Sequence, residues 1–283
     1  MTRLTVPGVL ARKGADPPLV MLTAYDYPTA RIADEGGAEL ILVGDTAGMV
    51  VHGWQDTIHM TVDLIAGHVA DVARAAPEAL VVGDLPWMSY HVTAERTLDN
   101  AARLILAGAH AVKLEGGRKR ADMVRALVDA EIPVMGHIGM TPQSINTLGS
   151  MRRIAGKTTE AVTDLFADAR ALVDAGCFAI VLEAIPAQVA RHLTEQVQVP
   201  TIGIGAGPSC DGQVLVLHDI LGLEDRIAPR FVRRYASLKG DAVAATTRFV
   251  EDVRRRQYPG TDEMYDLSEE VRRELSAMGI IRS

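Results

Sequence analysis

The stretch "LILVGDTAGM", from Leu40 to Met49, carries the pattern from which the fold can be predicted. It is an apolar run that ends in a carboxylate, Asp45, which follows a glycine and precedes the hydroxyl residue Thr46. A carboxylate against an apolar sheet is costly to desolvate unless a positive or hydrogen-bonding group meets it. The stretch therefore predicts a strand with a polar site at its carboxyl end.

The same pattern recurs along the chain. Short runs rich in Val, Ile and Leu alternate with longer helical patterns, which is typical of a parallel sheet covered on both faces. The eight candidate strands are Val20–Asp26, Leu40–Asp45, Leu80–Pro86, Ala111–Gly117, Val134–Met140, Ala179–Pro186, Thr201–Gly207 and Gln213–Leu221. In a chain of 283 residues this α/β alternation favours a single (β/α)₈ barrel of the TIM type over an open doubly wound sheet.

Helices are predicted between these strands, because several intervening segments begin at Thr or Asp and end at Gly. The predicted helices span residues 28–38, 61–76, 93–109, 123–132, 159–176 and 186–197. The charged tail from about residue 241 predicts a helix, an exposed turn and a second short helix. We interpret residues 1–283 as one barrel domain with this C-terminal helical extension, whose charges indicate a solvated face with a packing or oligomer contact.

The bulk composition limits the classes of partner. A formal net charge of -7 and a pI near 5.6 argue against nucleic acid or an anionic membrane surface as the main partner. The sequence has no apolar run of membrane-spanning length, and its N-terminus lacks the apolar core of a signal peptide. The two cysteines, Cys177 and Cys210, form no disulfide framework. We expect a cytoplasmic protein that acts on small molecules.

Polar residues collect at or near the carboxyl ends of the predicted strands: Asp45, Asp84, Glu115, His137 and Glu183. In a TIM barrel those ends meet at one mouth, where different strands supply the catalytic groups. Two carboxylates in the matching contexts "LVGD" and "VVGD" would repel each other if they converged, and Mg²⁺ would remove that repulsion. Either aspartate alone is better explained as a loop cap or salt bridge, but the two together favour a metal site.

The remaining polar groups have a functional and a structural interpretation. Lys113 and Glu115 point to the same face of their strand and either orient a substrate or form a buried structural ion pair. Glu183 follows an apolar stretch, a setting that suits a general base, and a hydrogen-bonded structural role fits it equally well. His137 could bind substrate, although a single histidine is more often structural.

Five segments, taken in order, resemble the ketopantoate hydroxymethyltransferase family, a barrel family related to the isocitrate lyase and phosphoenolpyruvate mutase enzymes. They are "MLTAYDYP", "DLPWMSY", "AVKLEGG", "PVMGHIGMTPQS" and "TIGIGAGPSCDGQVLVLHDILGL". The resemblance implies that Asp45 and Asp84 bind Mg²⁺ and, with it, the substrate, and that Glu115 lies near the metal through its water shell. It also implies that Thr46, Lys113 and His137 help to place a 2-oxo acid, and that Glu183 is the catalytic proton-transfer residue.

The reaction that the resemblance implies is transfer of a one-carbon unit from 5,10-methylenetetrahydrofolate to 3-methyl-2-oxobutanoate, which forms 2-dehydropantoate in pantothenate biosynthesis. The family also implies a homo-oligomer, commonly a decamer. This chain has Thr46-Ala47 where the family usually has Ser-Leu, and His59 where the following loop usually has proline.

Because these changes border the predicted site, three alternatives stay open. The first two are a related 2-oxo-acid aldolase or lyase and a paralogue with a different 2-oxo acid. The third is a non-catalytic ligand-binding or assembly protein, against which the retained carboxylates and Lys113 argue.

Overall fold

A computed structural model of the chain describes residues 3–76, 78–149, 154–226 and 229–282. The chain divides into two compact units, one up to Ala236 and one from Ser237 onward. The first unit contains a closed barrel of eight parallel strands that neighbour each other in sequence order. The strands are β1 Leu19–Thr23, β2 Leu40–Val43, β3 Leu80–Asp84, β4 Ala111–Glu115, β5 Val134–Gly139, β6 Ala179–Glu183, β7 Thr201–Ile204 and β8 Gly212–Leu215. The predicted (β/α)₈ barrel is confirmed.

Helices connect the strands of this unit. They are α1 Val6–Leu10, α2 Tyr27–Glu35, α3 Ala47–Val50, α4 Val62–Ala75, α5 Ala94–Leu106, α6 Ala121–Asp129, α7 Ile145–Leu148, α8 Thr159–Asp174, α9 Ala187–Gln196 and α10 Leu217–Ile220. Short 3₁₀ turns occur at Arg118–Arg120 and Pro142–Ser144. The six predicted helices are found within a few residues of their expected bounds. Asp26, Thr61, Thr93 and Thr158 cap four of them by accepting a backbone N–H hydrogen bond, as their sequence positions indicate.

The predicted strands were too long at their carboxyl ends. The second strand ends at Val43 rather than Asp45, and the eighth ends at Leu215, after which Leu217–Ile220 forms α10. Apolarity misled the prediction of the eighth strand, because Leu217 is buried in α10, the short helix that follows it. The Thr23 hydroxyl accepts a hydrogen bond from the backbone N–H of Leu217. The first N–H group of this helix therefore has a partner outside the sheet hydrogen bonds.

Side chains alternate between the two faces of each strand, and this alternation divides the core. One apolar cluster fills the barrel interior, with Met21, Leu42, Val82 and Val181 among its members, and Val9 of α1 belongs to the same cluster. A second, larger cluster lies between the strands and the surrounding helices. At the carboxyl ends of the strands the inward positions are polar instead, which leaves that end of the barrel for a site.

The second unit consists of α11 Leu238–Arg254, a 3₁₀ turn at Thr261–Glu263 and α12 Glu269–Ala277. This is the helix, turn and short helix that the charged tail predicts. The Phe249 ring packs edge-on against Tyr258, with 5.3 Å between ring centroids. Within the described residues of the whole chain, no helix is both long and apolar enough to span a membrane.

Candidate active site

The register of the barrel places the predicted polar residues side by side. Asp84 of β3 lies in register with Lys113 of β4, and Glu115 with His137 of β5. Glu183 ends β6, where it lies in register with a glycine of β5. Asp45 follows β2 by two residues, and all six of these side chains are buried. The carboxyl end of the barrel thus gathers four carboxylates, one lysine and one histidine in a space closed to bulk water.

Asp45 and Asp84 are in direct contact through the backbone. The Asp45 N–H donates a hydrogen bond to Oδ2 of Asp84 at 3.2 Å. Among the described residues, neither Asp45 Oδ2 nor Asp84 Oδ1 has a hydrogen-bonding partner. Burial raises the pKa of Asp45 well above its usual range, and repulsion from Asp84 and Glu115 raises it further. Burial also raises the pKa of Asp84, although Lys113 opposes that effect. A cation placed between the two carboxylates would offset both the cost of burying their charges and the repulsion between them.

Lys113 supplies positive charge to this group. Its Nζ atom lies 2.8 Å from Oδ1 of Asp84, in a contact that lacks the alignment of a hydrogen bond. Burial disfavours the ammonium form, but Asp84, Glu115 and Asp45 outweigh burial and raise the pKa of Lys113. One interpretation of the sequence was an ion pair between Lys113 and Glu115 on the same strand. The structure contradicts that pairing. Neighbouring residues of parallel strands stand closer than alternate residues of one strand, so Lys113 pairs with Asp84 instead.

His137 stands between two carboxylates. Its Nδ1 atom is 3.4 Å from Oε1 of Glu115, and its Nε2 atom is 3.1 Å from Oε2 of Glu183. Burial and Lys113 oppose protonation of the ring, but the two carboxylates prevail and raise the pKa of His137 to about 9. The raised pKa favours the charged imidazole, whose two ring nitrogens face the two carboxylates as ion pairs without aligned hydrogen bonds.

Two further residues, Tyr90 and Gln143, hold Glu115 in place. The Gln143 backbone N–H donates to Oε2 of Glu115 at 3.0 Å, and the Glu115 N–H donates to the Tyr90 hydroxyl at 3.2 Å. That hydroxyl in turn donates to Oε1 of Gln143 at 2.6 Å. Burial would raise the pKa of Glu115, but His137 and Lys113 lower it overall. The sequence interpretation missed both residues, although they lie in the family segments "DLPWMSY" and "PVMGHIGMTPQS".

The donor set fits a hard divalent cation that keeps part of its water shell. Within the described parts of the chain, no three His, Cys, Asp or Glu side chains are placed to hold one ion together. Glu115 is engaged by His137 and Gln143, so the oxygens that lack an aligned hydrogen bond belong to Asp45 and to Asp84, whose Oδ1 contacts Lys113. Mg²⁺ is usually bound by one or two carboxylates and completes its octahedron with water and substrate oxygens.

The loop that departs from the family pattern packs tightly beside Asp45. Thr46 is half-buried, and Ala47 is fully buried. A Cβ at Gly48 would meet the Trp54 ring at 3.0 Å, so a larger residue there would require the ring to move by a few tenths of an ångström. His59 is exposed. The altered residues are thus accommodated without displacing the neighbouring carboxylate.

Comparison with known proteins agrees with the geometry. A sequence model of the family "Ketopantoate hydroxymethyltransferase" matches residues 3–261. A 3-methyl-2-oxobutanoate hydroxymethyltransferase of Oleidesulfovibrio alaskensis is 53% identical over 90% of this chain and 88% of its own length. A protein of the same name from Syntrophobacter fumaroxidans is 50% identical over 98% of each chain.

Solved structures show the same barrel. A 2,3-dimethylmalate lyase, described as a PEP mutase/isocitrate lyase superfamily member, aligns with a TM-score of 0.56 at 18% identity and covers 99% of this chain and 100% of its own. A phosphonopyruvate hydrolase in complex with oxalate and Mg²⁺ aligns with a TM-score of 0.57 at 14% identity, over 98% of this chain and 99% of its own. At such identities the likeness establishes the fold alone, whereas the family match and the two relatives cover most of the sequence. The chain belongs to the ketopantoate hydroxymethyltransferase family.

Proposed function

We propose that this protein catalyses the Mg²⁺-dependent transfer of a hydroxymethyl group from 5,10-methylenetetrahydrofolate to 3-methyl-2-oxobutanoate, which forms 2-dehydropantoate and tetrahydrofolate. The observation that carries the proposal is the buried pair of Asp45, whose Oδ2 has no hydrogen-bonding partner, and Asp84, whose Oδ1 contacts Lys113, beside the His137–Glu183 contact of 3.1 Å. Family membership supports the choice of reaction and of substrates.

Asp45 and Asp84 would hold the Mg²⁺ ion. When bound, the ion would polarise the keto group of the substrate and offset the negative charge that develops on its oxygen. Lys113 offsets the charge of Asp84, and the bound ion would offset the charges of Asp45 and of the substrate carboxylate. We assign Lys113, His137 and the Thr46 hydroxyl to placing that substrate.

Glu183 is the proposed proton acceptor. It would take the proton from the β-carbon of 3-methyl-2-oxobutanoate, and that carbon would then form a bond to the methylene carbon of the folate. The methylene carbon is bonded to two folate nitrogens, and both carbon–nitrogen bonds would break: one is replaced by the bond to the β-carbon and the other by a bond to the oxygen of water. The two nitrogens of the departing tetrahydrofolate would take up the proton collected by Glu183 and one proton from that water. The charged His137 ring fixes the Glu183 carboxylate in position and, with both ring nitrogens protonated, cannot itself act as the base.

The test separates proton removal from transfer. Proton NMR follows exchange of the β-proton of 3-methyl-2-oxobutanoate in D₂O with Mg²⁺, then with a chelator, and then with methylenetetrahydrofolate. We expect exchange that depends on Mg²⁺, and 2-dehydropantoate only when the folate is present. Exchange without 2-dehydropantoate would support removal of the β-proton and would point to another one-carbon donor. If folded protein supplied with Mg²⁺ shows no exchange of the β-proton, that result would contradict the assigned substrate.

A Glu183→Gln variant tests the base separately. The amide keeps the size of the side chain but cannot accept the proton, so exchange should fall by at least about 100-fold. Binding of Mg²⁺ should persist, because Glu183 is not among the proposed ligands. Unchanged exchange in this variant would exclude Glu183 as the base.

We further propose a cytoplasmic homo-oligomer, and the family resemblance favours a decamer. The two cysteines, Cys177 and Cys210, are buried free thiols, in keeping with a reducing compartment. Light scattering after size exclusion measures the mass of the assembly. A mass of about 30 kDa, that of one chain, would contradict the oligomer.

A further inference from the structure

Two histidines outside the proposed catalytic group stand face to face. His52 lies in the loop after α3, and His68 lies on α4, with 3.3 Å between their Nε2 atoms. His52 is exposed and His68 is half-buried, so the space between the rings is open to solvent. The mechanism proposed above uses neither ring.

A backbone hydrogen bond orients His68. Its Nδ1 atom is 2.6 Å from the carbonyl oxygen of Tyr25, which can only accept. The proton of a neutral His68 ring therefore lies on Nδ1, and the lone pair of Nε2 faces His52. A ring N–H that donates to a backbone carbonyl is the usual support of a metal-ligating histidine, because it sets both the tautomer and the ring orientation.

The separation of the two nitrogens matches a shared metal ion. At 3.3 Å the two nitrogens are within hydrogen-bonding distance, so a ring N–H of His52 can bridge them in the absence of an ion. Two imidazole nitrogens that each lie about 2.0–2.1 Å from a tetrahedral Zn²⁺ ion are about 3.3 Å apart. The spacing of the two nitrogens thus suits an ion that bridges them after a small tilt of the rings.

The loop that carries His52 is held in place from two sides. The Trp54 ring stacks on His52, with 4.8 Å between centroids and 21° between planes. The Arg226 guanidinium donates to the carbonyl oxygens of Met49 and Gly53, which lie on either side of His52 in sequence. Glu224 pairs with that guanidinium, so the charge that Arg226 brings toward the site is offset.

We propose that His52 and His68 form a binding site for a borderline transition-metal ion such as Zn²⁺, Ni²⁺ or Cu²⁺. Each ring contributes Nε2, and water fills the remaining coordination positions. The site differs in kind from the pair Asp45 and Asp84, since imidazole nitrogen suits these ions whereas carboxylate oxygen suits Mg²⁺. Each Nε2 atom must offer its lone pair to the ion.

Trp54 provides a reporter for the test. The chain has two tryptophans, Trp54 and Trp87, so the Trp87→Phe variant leaves only the ring that stacks on His52. This variant is titrated with Cu²⁺ at neutral pH in excess Mg²⁺, which keeps the carboxylate site occupied. We expect fluorescence quenching that saturates at one Cu²⁺ per chain, and electron paramagnetic resonance that shows nitrogen ligation from two imidazoles.

Three substitutions in the Trp87→Phe variant test which residues bind the metal ion. His52→Gln keeps an amide that can donate to His68 but removes the metal-binding nitrogen, so affinity should fall by about tenfold or more. His68→Gln should have the same effect. His192→Ala removes an exposed histidine on α9, away from Trp54, and serves as the control, with affinity unchanged.

Calorimetry with Zn²⁺ on the unsubstituted protein should give the same stoichiometry as Cu²⁺. Quenching that does not saturate, or equal affinity in His52→Gln and the parent, would overturn the proposal. A loss of affinity in His192→Ala as large as in His52→Gln would also overturn it.

Discussion

The Nζ atom of Lys113 lies 2.8 Å from Oδ1 of Asp84, and the two side chains are only 4% and 1% exposed. The pair joins neighbouring strands in register, at the level where Asp45 and Glu115 also enter the pocket. Lys113 is thus a fixed counter-charge for several buried carboxylates. Such a pair adds little net stability relative to apolar residues, but removal of one partner leaves a buried charge uncompensated.

Replacing Lys113 by Met should therefore destabilise the metal-free protein. We expect a loss of about 3–5 kcal/mol in the free energy of unfolding, measured by urea denaturation with a chelator present. The Lys113→Met, Asp84→Asn double variant should recover most of this loss, because no uncompensated Asp84 charge remains. Additive losses from the two single substitutions would show that the pair is not coupled.

Mg²⁺ should stabilise the folded protein through Asp45 and Asp84. An ion that binds only the folded state at 100 times its Kd adds about 2.7 kcal/mol to the free energy of unfolding. Differential scanning calorimetry with and without Mg²⁺ measures the shift in Tm, which Asp45→Asn or Asp84→Asn should abolish. Glu195→Gln changes an exposed carboxylate on α9 and should leave the shift intact. An equal shift in all three variants would place the ion elsewhere.

The charge on His137 should make stability depend on pH in the metal-free protein. The ring binds its proton more tightly when folded, with a pKa of about 9, than when unfolded, where the usual value is about 6.5. Its contribution is fully present below about pH 6.5 and is lost as the pH rises toward 9. The loss amounts to at most about 3 kcal/mol. Urea denaturation across this range should show the decline, and His137→Gln should flatten it. A decline of the same size in the variant would assign it to other groups.

Gly139 positions Glu183 through the backbone. Its φ of 103° is unfavourable for any other residue, and an added Cβ would lie 2.2 Å from the carbonyl oxygen of Glu183. Gly139→Ala should therefore shift the Glu183 backbone, and a misplacement of about 1 Å can cost about 100-fold in rate.

Gly37→Ala is the matched control for this substitution. Gly37 also has a positive φ, 88°, but a Cβ there would have open space around it. It should lose some stability from backbone strain while keeping its rate of β-proton exchange. Similar exchange rates in the two variants would show that the contact at Gly139 does not position Glu183.

The sequence alone was sufficient for the architecture and for much of the site. Apolar runs at regular spacing predict strands of a covered parallel sheet, and Thr61 or Thr93 before an amphipathic segment predicts where a helix begins. Because parallel strands of one barrel end at the same mouth, a carboxylate after "LVG" and another after "VVG" could be expected to meet. These inferences rest on local periodicity and on one general property of the fold.

Only the tertiary structure decided which groups are partners. It paired Lys113 with Asp84 rather than Glu115, placed His137 between two carboxylates, and brought Tyr90 and Gln143 under Glu115. It also set His52 opposite His68, whose spacing along the chain carries no such signal. The physical reason is that charge state and hydrogen bonding depend on burial and on distances between residues remote in sequence. Those distances follow from strand register and loop packing, which local periodicity does not encode.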